Sequence, residues 1–250
     1  MIHLPTLIAH RGASLYAPEN TLAAMLLAKE QGASWIEFDV QLTKDQEVVV
    51  AHDETVDRTS NGTGRVDQLT LAELKALDFG SWFDSSFQGE SIPIFREWLQ
   101  EAVQLDLCLN IELKPAKPEH HEVLIETVLA ELEFFGPNNL EKVIISSFDW
   151  YCLHKFHQVA PEYQTAVLDH FWRDELAIQL AREMKSVSIN LNDELVSEEL
   201  VLRVRSENIP VVVYTVNNKE RAKQLFDWGV SSIFSDDPLL LTGYKPRFHR

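Results

Sequence analysis

Two carboxylates separated by one residue lie in the apolar run Ile36-Glu37-Phe38-Asp39-Val40. Side chains alternate across a β-strand, so Glu37 and Asp39 share one face while the apolar residues take the other. Acidic side chains are rarely buried unless a partner neutralises them. Two acids inside a core strand therefore predict a bound cation. The alternative is a half-exposed strand with one polar face.

Further ionisable residues follow the ends of other predicted strands, namely His10, Arg11, His52, Glu112 and Lys114. In parallel α/β proteins the active site lies at the carboxyl ends of the strands. Three carboxylates with oxygen ligands suit a hard cation, Mg²⁺ or Ca²⁺, better than zinc. Arg11 and Lys114 beside that metal would clamp a phosphate, and the two histidines titrate near neutral pH and can act as base and acid.

This combination predicts metal-assisted cleavage of a phosphoester, in which the metal stabilises charge on the phosphoryl oxygens. Each residue alone has a simpler interpretation, since a single histidine is usually structural and a single Glu-x-Lys is usually a surface ion pair of little energy. The prediction depends on all seven residues occurring together at strand ends.

Short β-rich segments alternate with amphipathic helical patterns, and this alternation must position the seven residues. Repeated strand–helix units predict a parallel sheet with helices outside it. Eight such units in 250 residues favour a (β/α)₈ barrel, with a doubly wound open sheet as the alternative. The strands are predicted at Leu7–His10, Trp35–Val40, Cys108–Glu112, Val143–Ser147, Thr165–Leu168, Val187–Leu191, Val211–Thr215 and Ser232–Ser235. The helices are predicted at 22–29, Ile94–Leu105, His121–Phe135, Asp174–Met184, Glu198–Glu207 and Lys219–Trp228.

A ninth β-rich segment, Glu47–Ala51, follows the second strand too closely for a parallel crossover and is predicted to be an antiparallel hairpin arm. A turn centred on Lys44-Asp45 would pair residue 37 with residue 52, which places His52 directly across from Glu37. Residues 53–91 then interrupt the strand–helix alternation. We interpret them as a small insertion on the catalytic rim, containing one helix capped by Thr70 and Glu73.

Composition predicts one domain, residues 1–250, with a formal net charge of −17. Such an acidic chain disfavours nucleic acid or an anionic membrane as the main partner, so an anionic substrate needs a local basic cluster. Cys108 and Cys152 cannot build a disulfide framework. The chain has no signal-peptide pattern and no apolar run long enough to span a bilayer, which predicts a cytoplasmic protein without a stable membrane anchor. We expect a monomer or a homodimer. The remaining histidines in the middle of the chain are predicted to be solvated: His120, His121, His154, His157 and His170.

An ordered series of motifs along almost the whole chain resembles the glycerophosphodiester phosphodiesterase family. The motifs are Ile8-Ala9-His10-Arg11-Gly12 with Pro18-Glu19-Asn20-Thr21, Glu37–Asp45, His52-Asp53, Arg58-Thr59, Leu69–Leu74, Ile92-Pro93, Ile111–Lys114, Ser146-Ser147-Phe148, Tyr214–Asn217 and Ser235–Pro238. A series of this length is far more specific than any one motif.

The resemblance implies a metal-dependent (β/α)₈ TIM barrel of the phospholipase C-like phosphodiesterase type, with a small insertion after the second strand and its hairpin arm. It implies hydrolysis of glycerophosphodiesters, such as glycerophosphocholine or glycerophosphoethanolamine, to glycerol 3-phosphate and an alcohol. Carried onto this chain, it makes Glu37, Asp39 and Glu112 the metal ligands, His10 and His52 the acid–base pair, Arg11 and Lys114 the phosphate-binding residues, and Phe148 and Tyr214 a substrate wall. Tyr214 departs from the family, where relatives commonly have Trp; we expect it to remain an aromatic wall. We assign His10 as base and His52 as acid, and the reverse order fits the residues as well.

Three other functions share part of this pattern. A lysophospholipase D or phospholipase C-like enzyme would use the same chemistry on lipids, for which Trp82, Phe83 and Phe87 offer an apolar rim. A non-catalytic phosphate-binding barrel would have no use for an acid–base pair. A barrel isomerase or aldolase acting on sugar phosphates would typically use a lysine base or Schiff base in place of two histidines.

Overall fold

The computed structural model describes residues 4–172 and 175–244. Its strands are β1 (Leu7–His10), β2 (Trp35–Leu42), β3 (Val48–Val50), β4 (Cys108–Leu113), β5 (Val143–Ser147), β6 (Gln164–Asp169), β7 (Ser188–Asn192), β8 (Val211–Tyr214) and β9 (Ser232–Ser235). Eight of them are parallel and follow the order β1-β2-β4-β5-β6-β7-β8-β9, and β9 pairs with β1 to close the sheet. The predicted (β/α)₈ barrel is therefore confirmed, and the open sheet is wrong.

Helices lie between the strands and cover the outside of the barrel. They are α1 (Leu22–Glu30), α2 (Leu71–Lys75), α3 (Phe95–Gln104), α4 (His121–Phe135), α5 (Trp150–Val159), α6 (Glu175–Met184), α7 (Glu198–Arg205) and α8 (Lys219–Trp228). Short 3₁₀ helices cover Val66–Gln68, Ser85–Phe87, Pro118–His120 and Pro137–Lys142. Within the described ranges no helix combines the length and the apolar character needed to cross a bilayer.

The sequence pattern did not predict α5, although Asp149 caps it by accepting a hydrogen bond from the Cys152 N–H and Cys152, Leu153 and Phe156 are its buried face. The predicted start of α6 at Asp174 lies outside the described residues.

Alternation along each strand divides the core in two. Outward-facing residues of the strands, such as Phe38 of β2, pack against the helices in the main core, where Phe38 stacks on Trp98 of α3 with ring centroids 4.7 Å apart. Inward-facing residues near the amino ends of the strands, Ile8, Trp35 and Phe234 among them, fill the barrel with a small apolar cluster. The inward-facing positions further along the same strands carry the polar side chains, so the polar site lies at the carboxyl end of the barrel.

The hairpin register predicted for β2 and β3 is wrong by one residue. Val40 pairs with Val50, Gln41 with Val49 and Leu42 with Val48, so His52 does not lie across from Glu37. The turn contains three residues, 44–46, and not two: the Thr43 N–H donates to the Glu47 carbonyl oxygen, and Gln46 takes a positive φ of 65°. A third turn residue in the left-handed conformation is a common hairpin loop and shifts the pairing by one position.

Residues between β3 and α3 pack around an apolar cluster of their own, formed by Val56, Val66, Leu74 and Phe79, which lies against Val49 of β3. The capping box at α2 is present, because the Thr70 hydroxyl accepts from the Glu73 N–H and the Glu73 carboxylate accepts from the Thr70 N–H. The carboxyl end of this segment is anchored to the hairpin, since the Val50 N–H donates to the Pro93 carbonyl oxygen at 2.9 Å, and the Lys44 N–H of the hairpin turn donates to the Leu69 carbonyl oxygen at 2.9 Å. The segment is therefore held against the arm that carries His52.

The turn after β1 is shaped by a glycine with no room for a side chain. Arg11 and Gly12 both have positive φ, 54° and 88°, and a Cβ built on Gly12 would lie 2.7 Å from the backbone carbon of Ala24 in α1. Only glycine combines this conformation with so close a helix. Since His10 and Arg11 immediately precede it, Gly12 fixes the direction in which both side chains leave the strand.

We predict that Gly12→Ala destabilises the protein more than Gly32→Ala. Both glycines have positive φ, but a Cβ at Gly32 meets no atom of the described residues within 4 Å. Gly32→Ala should therefore cost only the left-handed penalty of about 1–2 kcal/mol. Gly12→Ala should cost an additional 1–3 kcal/mol, roughly the usual cost of overpacking. Urea unfolding measures both; equal losses would show that the contact with α1 is not limiting.

Candidate active site

Three buried carboxylates converge inside the carboxyl end of the barrel. Glu37 and Asp39 point inward from β2, and Glu112 points inward from β4, where it pairs with Asp39. The three side chains offer ligand oxygens within 4.8 Å of one another, and their residues are 4%, 0% and 8% exposed. The strand alternation predicted from sequence thus places Glu37 and Asp39 on the same, inner face.

Two cations lie against this group. Lys114 Nζ is 3.5 Å from Asp39 Oδ1 and 3.3 Å from Glu112 Oε1. Arg11 approaches from β1, where its backbone N–H donates to Glu37 Oε2 at 3.1 Å and its Nε lies 3.7 Å from Asp39 Oδ2. That Nε is buried and has no hydrogen-bond partner among the described residues, so it can donate to a ligand.

Both predicted catalytic histidines are held by a carboxylate on their Nδ1 side. His10 Nδ1 lies 2.6 Å from Asp236 Oδ1, and His52 Nδ1 lies 2.7 Å from Asp53 Oδ1. A carboxylate only accepts, so each Nδ1 is the protonated nitrogen and each Nε2 is left for the site. His10 Nε2 is 3.9 Å from Glu37, and both rings line one cavity.

The two carboxylates that hold the histidines accept further hydrogen bonds from neighbouring side chains. Asp236 accepts from the Ser14 hydroxyl at 2.9 Å and from the Asn217 side-chain amide at 2.5 Å. Arg58, from the insertion, donates through Nε to Asp53 at 2.7 Å and through its two terminal nitrogens to both oxygens of Glu19. Glu19 in turn accepts from Arg11 at 2.8 Å.

The pKa values of the three acids diverge. Burial and the charges of Asp39 and Glu112 raise the pKa of Glu37 well above its usual range. Burial also raises the pKa of Glu112 to about 7, against the opposing charge of Lys114. Asp39 differs, because the charges of Lys114, Arg11 and His52 outweigh burial and lower its pKa to about 2. The group therefore carries too much negative charge for its surroundings, and a bound cation would relieve it.

A divalent cation fits these residues. Asp39 Oδ1 is buried with no hydrogen-bond partner among the described residues, an arrangement that is costly unless a ligand satisfies the oxygen. The donor set is entirely carboxylate oxygen, the type that Mg²⁺ and Ca²⁺ prefer. Asn20 supports the set, since its side-chain amide donates to Asp39 Oδ2 at 2.9 Å.

A cavity of about 360 Å³ opens beside the carboxylates. His10, Arg11, Glu37 and Glu112 are part of its lining. Aromatic rings form another part: the Phe148 and Tyr214 rings meet edge to face with centroids 5.6 Å apart, and His170 packs on Phe148 at 6.3 Å. We refer to these three rings as the aromatic end of the cavity. Both residues of the predicted substrate wall therefore line the same cavity as the histidines.

The structure brings together all nine residues singled out from the sequence, and adds residues that the sequence did not assign. Asp53 and Asp236 lie in the quoted motifs, and the adjacency of His52 and Asp53 was the available signal for the first. Glu19, Arg58 and Asn20 also lie in those motifs, but nothing in their spacing showed what they contact. His170 is exposed as predicted yet lines the cavity. The prediction that His121 is solvated is wrong, because it is buried and its Nε2 lies 2.8 Å from Asp149 Oδ2.

A closed α/β barrel with buried acids, two cations and two carboxylate-held histidines around one cavity defines a TIM-barrel enzyme site. Residues 10–240 match the model of the glycerophosphoryl diester phosphodiesterase family. A glycerophosphodiester phosphodiesterase of Caldanaerobacter subterraneus subsp. tengcongensis is 39% identical over 231 residues, 92% of this chain and 93% of that protein. Another, from Bacillus subtilis, is 32% identical over 97% of this chain and 85% of that protein.

Two solved phosphodiesterase structures are also similar to this chain. An Oleispira antarctica phosphodiesterase in complex with the product sn-glycerol-3-phosphate superposes with a TM-score of 0.89 at 32% identity, covering 94% of each chain. A glycerophosphodiester phosphodiesterase of Agrobacterium tumefaciens has a TM-score of 0.78 at 28% identity, covering 95% of this chain and 98% of that one. The chain belongs to the glycerophosphoryl diester phosphodiesterase family, and the prediction that it is an enzyme of this kind is confirmed.

We predict that Mg²⁺ or Ca²⁺ stabilises the folded protein through the three carboxylates. Removing metal with a chelator and adding back an excess, on the order of 100 times Kd, should raise the unfolding free energy by about 3 kcal/mol. Glu112→Gln should abolish most of this increase, which thermal unfolding at a series of metal concentrations measures. Glu126→Gln, at an exposed acid of α4, is the matched control. An undiminished increase in Glu112→Gln would place the cation elsewhere.

Proposed function

We propose that the protein hydrolyses glycerophosphodiesters to glycerol 3-phosphate and an alcohol, in a reaction that depends on a divalent cation. The observation that carries this proposal is the pair of histidines, each held through Nδ1 by a carboxylate, in one cavity with the buried acids and Arg11. A site that only bound phosphate would need no oriented acid–base pair. The product complex of the Oleispira antarctica relative supports the same substrate class.

In this proposal Glu37, Asp39 and Glu112 hold the cation, which when bound neutralises charge on the phosphoryl oxygens. Arg11 and Lys114 bind the phosphate, and the unpartnered Arg11 Nε supplies one of the donors. Burial lowers the pKa of His52, with the charge of Asp39 opposing the shift.

The histidines move the protons. His10 takes a proton through Nε2 from the attacking group, either water or the glycerol 2-hydroxyl. Attack by water gives glycerol 3-phosphate directly, whereas attack by the hydroxyl gives a cyclic phosphate that water then opens to glycerol 3-phosphate. His52 enters the reaction as the imidazolium and gives its Nε2 proton to the oxygen of the leaving alcohol. Asp236 stabilises the imidazolium that forms at His10, Asp53 stabilises the imidazolium from which His52 starts, and each carboxylate keeps its ring in place. The aromatic end of the cavity, with Phe148 and Tyr214, holds one arm of the substrate.

We predict that His10→Ala and His52→Ala each lower turnover of glycerophosphocholine by roughly 100-fold or more, the usual scale for lost acid–base catalysis. Release of glycerol 3-phosphate, followed by a coupled dehydrogenase assay with added Mg²⁺ or Ca²⁺, measures the rate, and EDTA should abolish it. His154→Ala, on the outer helix α5, should keep normal turnover. Near-normal rates in both site variants would refute the assignment.

The alcohol released is proposed to be cationic, such as choline or ethanolamine. The aromatic end of the cavity offers ring faces of the kind that attract ammonium groups, and Glu194 lines the same cavity with a carboxylate. Among the residues that the structure describes, Arg11 is the only lysine or arginine in the cavity lining. In this proposal the phosphate binds at Arg11 and the ammonium group lies against the aromatic rings.

We predict that Glu194→Gln discriminates between substrates. It should lower kcat/KM for glycerophosphocholine by about 5-fold, the equivalent of the roughly 1 kcal/mol between opposite charges about 4 Å apart in water. It should leave glycerophosphoglycerol, whose alcohol is uncharged, nearly unaffected. Glu199→Gln, at an exposed acid of α7, controls for the change of net charge. Equal losses on both substrates would mean that Glu194 does not recognise the ammonium group.

A lysophospholipase D activity is the second candidate, favoured by exposed apolar side chains on the catalytic rim. Trp82 of the insertion is 37% exposed, and Phe171, in the loop after β6, is 77% exposed. Both could contact an acyl chain or a lipid surface. Comparing kcat/KM on glycerophosphocholine and lysophosphatidylcholine separates the candidates, because only the second substrate carries an acyl chain.

A further inference from the structure

A continuous chain of ion pairs joins one predicted catalytic histidine to the predicted phosphate-binding arginine. It runs from His52 through Asp53, Arg58 and Glu19 to Arg11. The four links measure 2.7, 2.7, 2.7 and 2.8 Å between donor and acceptor atoms. These are lengths at which charged donors and acceptors bond strongly. We refer to Glu19 and Arg58, which together connect Asp53 to Arg11, as the Glu19–Arg58 bridge.

From Asp53 to Arg11 the charges along the chain alternate and remain ionised at neutral pH. The pKa of Asp53 is lowered, chiefly by its hydrogen bond from Arg58, and that of Arg58 is raised, chiefly by its bond to Glu19. The pKa of Glu19 is lowered as well, because Arg58 and Arg11 outweigh burial. Both Glu19 oxygens are occupied: Oε1 accepts from Arg11 and Arg58, and Oε2 accepts from Arg58.

The bridge spans three separate segments of the fold. Glu19 belongs to the loop between β1 and α1, Asp53 follows the hairpin arm β3, and Arg58 belongs to the insertion. Without Arg58, nothing in the described contacts connects Asp53 to Glu19. His52 lies just beyond the hairpin ladder, whose last paired residue in β3 is Val50, and the Gln41 side-chain amide donates to the His52 carbonyl oxygen at 3.1 Å. These contacts hold the backbone of His52 and not its ring, which the Asp53 carboxylate orients.

We propose that Arg58 and Glu19 are positioning residues for the phosphodiesterase reaction, an inference that rests on the function proposed above. Arg58 holds the Asp53 carboxylate in the orientation that keeps His52 Nε2 directed at the site. Glu19 holds Arg11, and because it shares Arg58 with Asp53, the proton donor and the phosphate clamp are set relative to each other. The insertion thereby contributes to catalysis through Arg58 without touching the substrate.

Arg65 offers a matched control within the same insertion. Like Arg58 it bridges two carboxylates, donating through Nε to Asp67 at 2.8 Å and through a terminal nitrogen to Glu54 at 2.5 Å. The two side chains are comparably accessible, 46% exposed for Arg58 and 33% for Arg65. Neither Asp67 nor Glu54 bonds to a predicted catalytic residue in the contacts that the structure describes. Partly exposed ion pairs contribute little to folding, so both variants should fold.

The test compares Arg58→Gln, Glu19→Gln, the double variant and Arg65→Gln in glycerophosphocholine hydrolysis by the metal-loaded enzyme. Arg58→Gln should lower kcat roughly 10- to 100-fold, the scale of a misplaced catalytic group, while KM changes little. Glu19→Gln should lower kcat and also raise KM, since Arg11 loses its partner. The double variant should lose no more kcat than the worse single variant, because the two residues act as one unit. Arg65→Gln should keep wild-type kinetics and a similar melting temperature to Arg58→Gln.

Three results would overturn the inference: Arg58→Gln kinetics equal to those of Arg65→Gln, kcat losses that multiply in the double variant, or a loss of rate that follows a loss of melting temperature. Failure of the proposed function is a separate outcome. In that case the wild-type enzyme itself would release no glycerol 3-phosphate from any glycerophosphodiester, whereas failure of the bridge leaves the wild-type and Arg58→Gln enzymes equally active.

Discussion

Three carboxylates buried within a few ångströms of one another are the constraint on which the catalytic end of this barrel depends. Like charges about 4 Å apart repel by about 4 kcal/mol at an effective dielectric constant near 20, and Glu37, Asp39 and Glu112 form three such pairs. Lys114 and Arg11 lie within 4 Å of Asp39, and Asn20 donates to it. These contacts keep Asp39 ionised but leave the pKa values of Glu37 and Glu112 raised. Two fixed cations are therefore insufficient for three acids, which is the physical reason for expecting a divalent ion.

The backbone around Arg11 has an unusual conformation, and this conformation brings Arg11 to the three carboxylates. The chain leaves β1 through two residues with positive φ, and Asn20, which also has a positive φ of 57°, returns its N–H to the Arg11 carbonyl oxygen. Left-handed conformations are costly for residues other than glycine and persist where the surroundings compensate. Here the strained turn directs the Arg11 N–H to Glu37 and its side chain to Asp39 and Glu19. The strained backbone of this loop thus places the positive charge of Arg11 beside the negative charges in the barrel.

Much of the site could be predicted from the sequence because side chains along a barrel strand alternate between the inner and outer face with a period of two. The inward positions of β2 are Trp35, Glu37, Asp39 and Gln41, so an apolar base and an acidic upper part can be derived from the letters alone. The strand ends then give His10, Arg11, Glu112 and Lys114. What could not be derived were contacts that depend on loop geometry. The three-residue turn before β3 shifted the hairpin register, and His52 reaches the site from beyond the paired ladder. Asp236 bonds to His10 across 226 residues of chain, Glu19 bonds to Arg11 across 8, and Arg58 bonds to Asp53 across 5. No local sequence pattern shows which of these side chains meet.

The net negative charge of the chain does not prevent it from binding an anionic phosphodiester, because most of that charge lies far from the cavity compared with Arg11 and Lys114. The formal net charge of −17 is spread over the molecule, and charges on the surface are screened beyond a Debye length of about 8 Å at physiological ionic strength. Arg11 and Lys114 are 17% and 21% exposed at their side chains, so a phosphate in the cavity meets them at short range and little screened. A substrate whose phosphate is balanced by its own ammonium group would approach without net repulsion. The proposed zwitterionic substrate is consistent with this distribution of charge, because only the reacting end of such a molecule has to match a positive site.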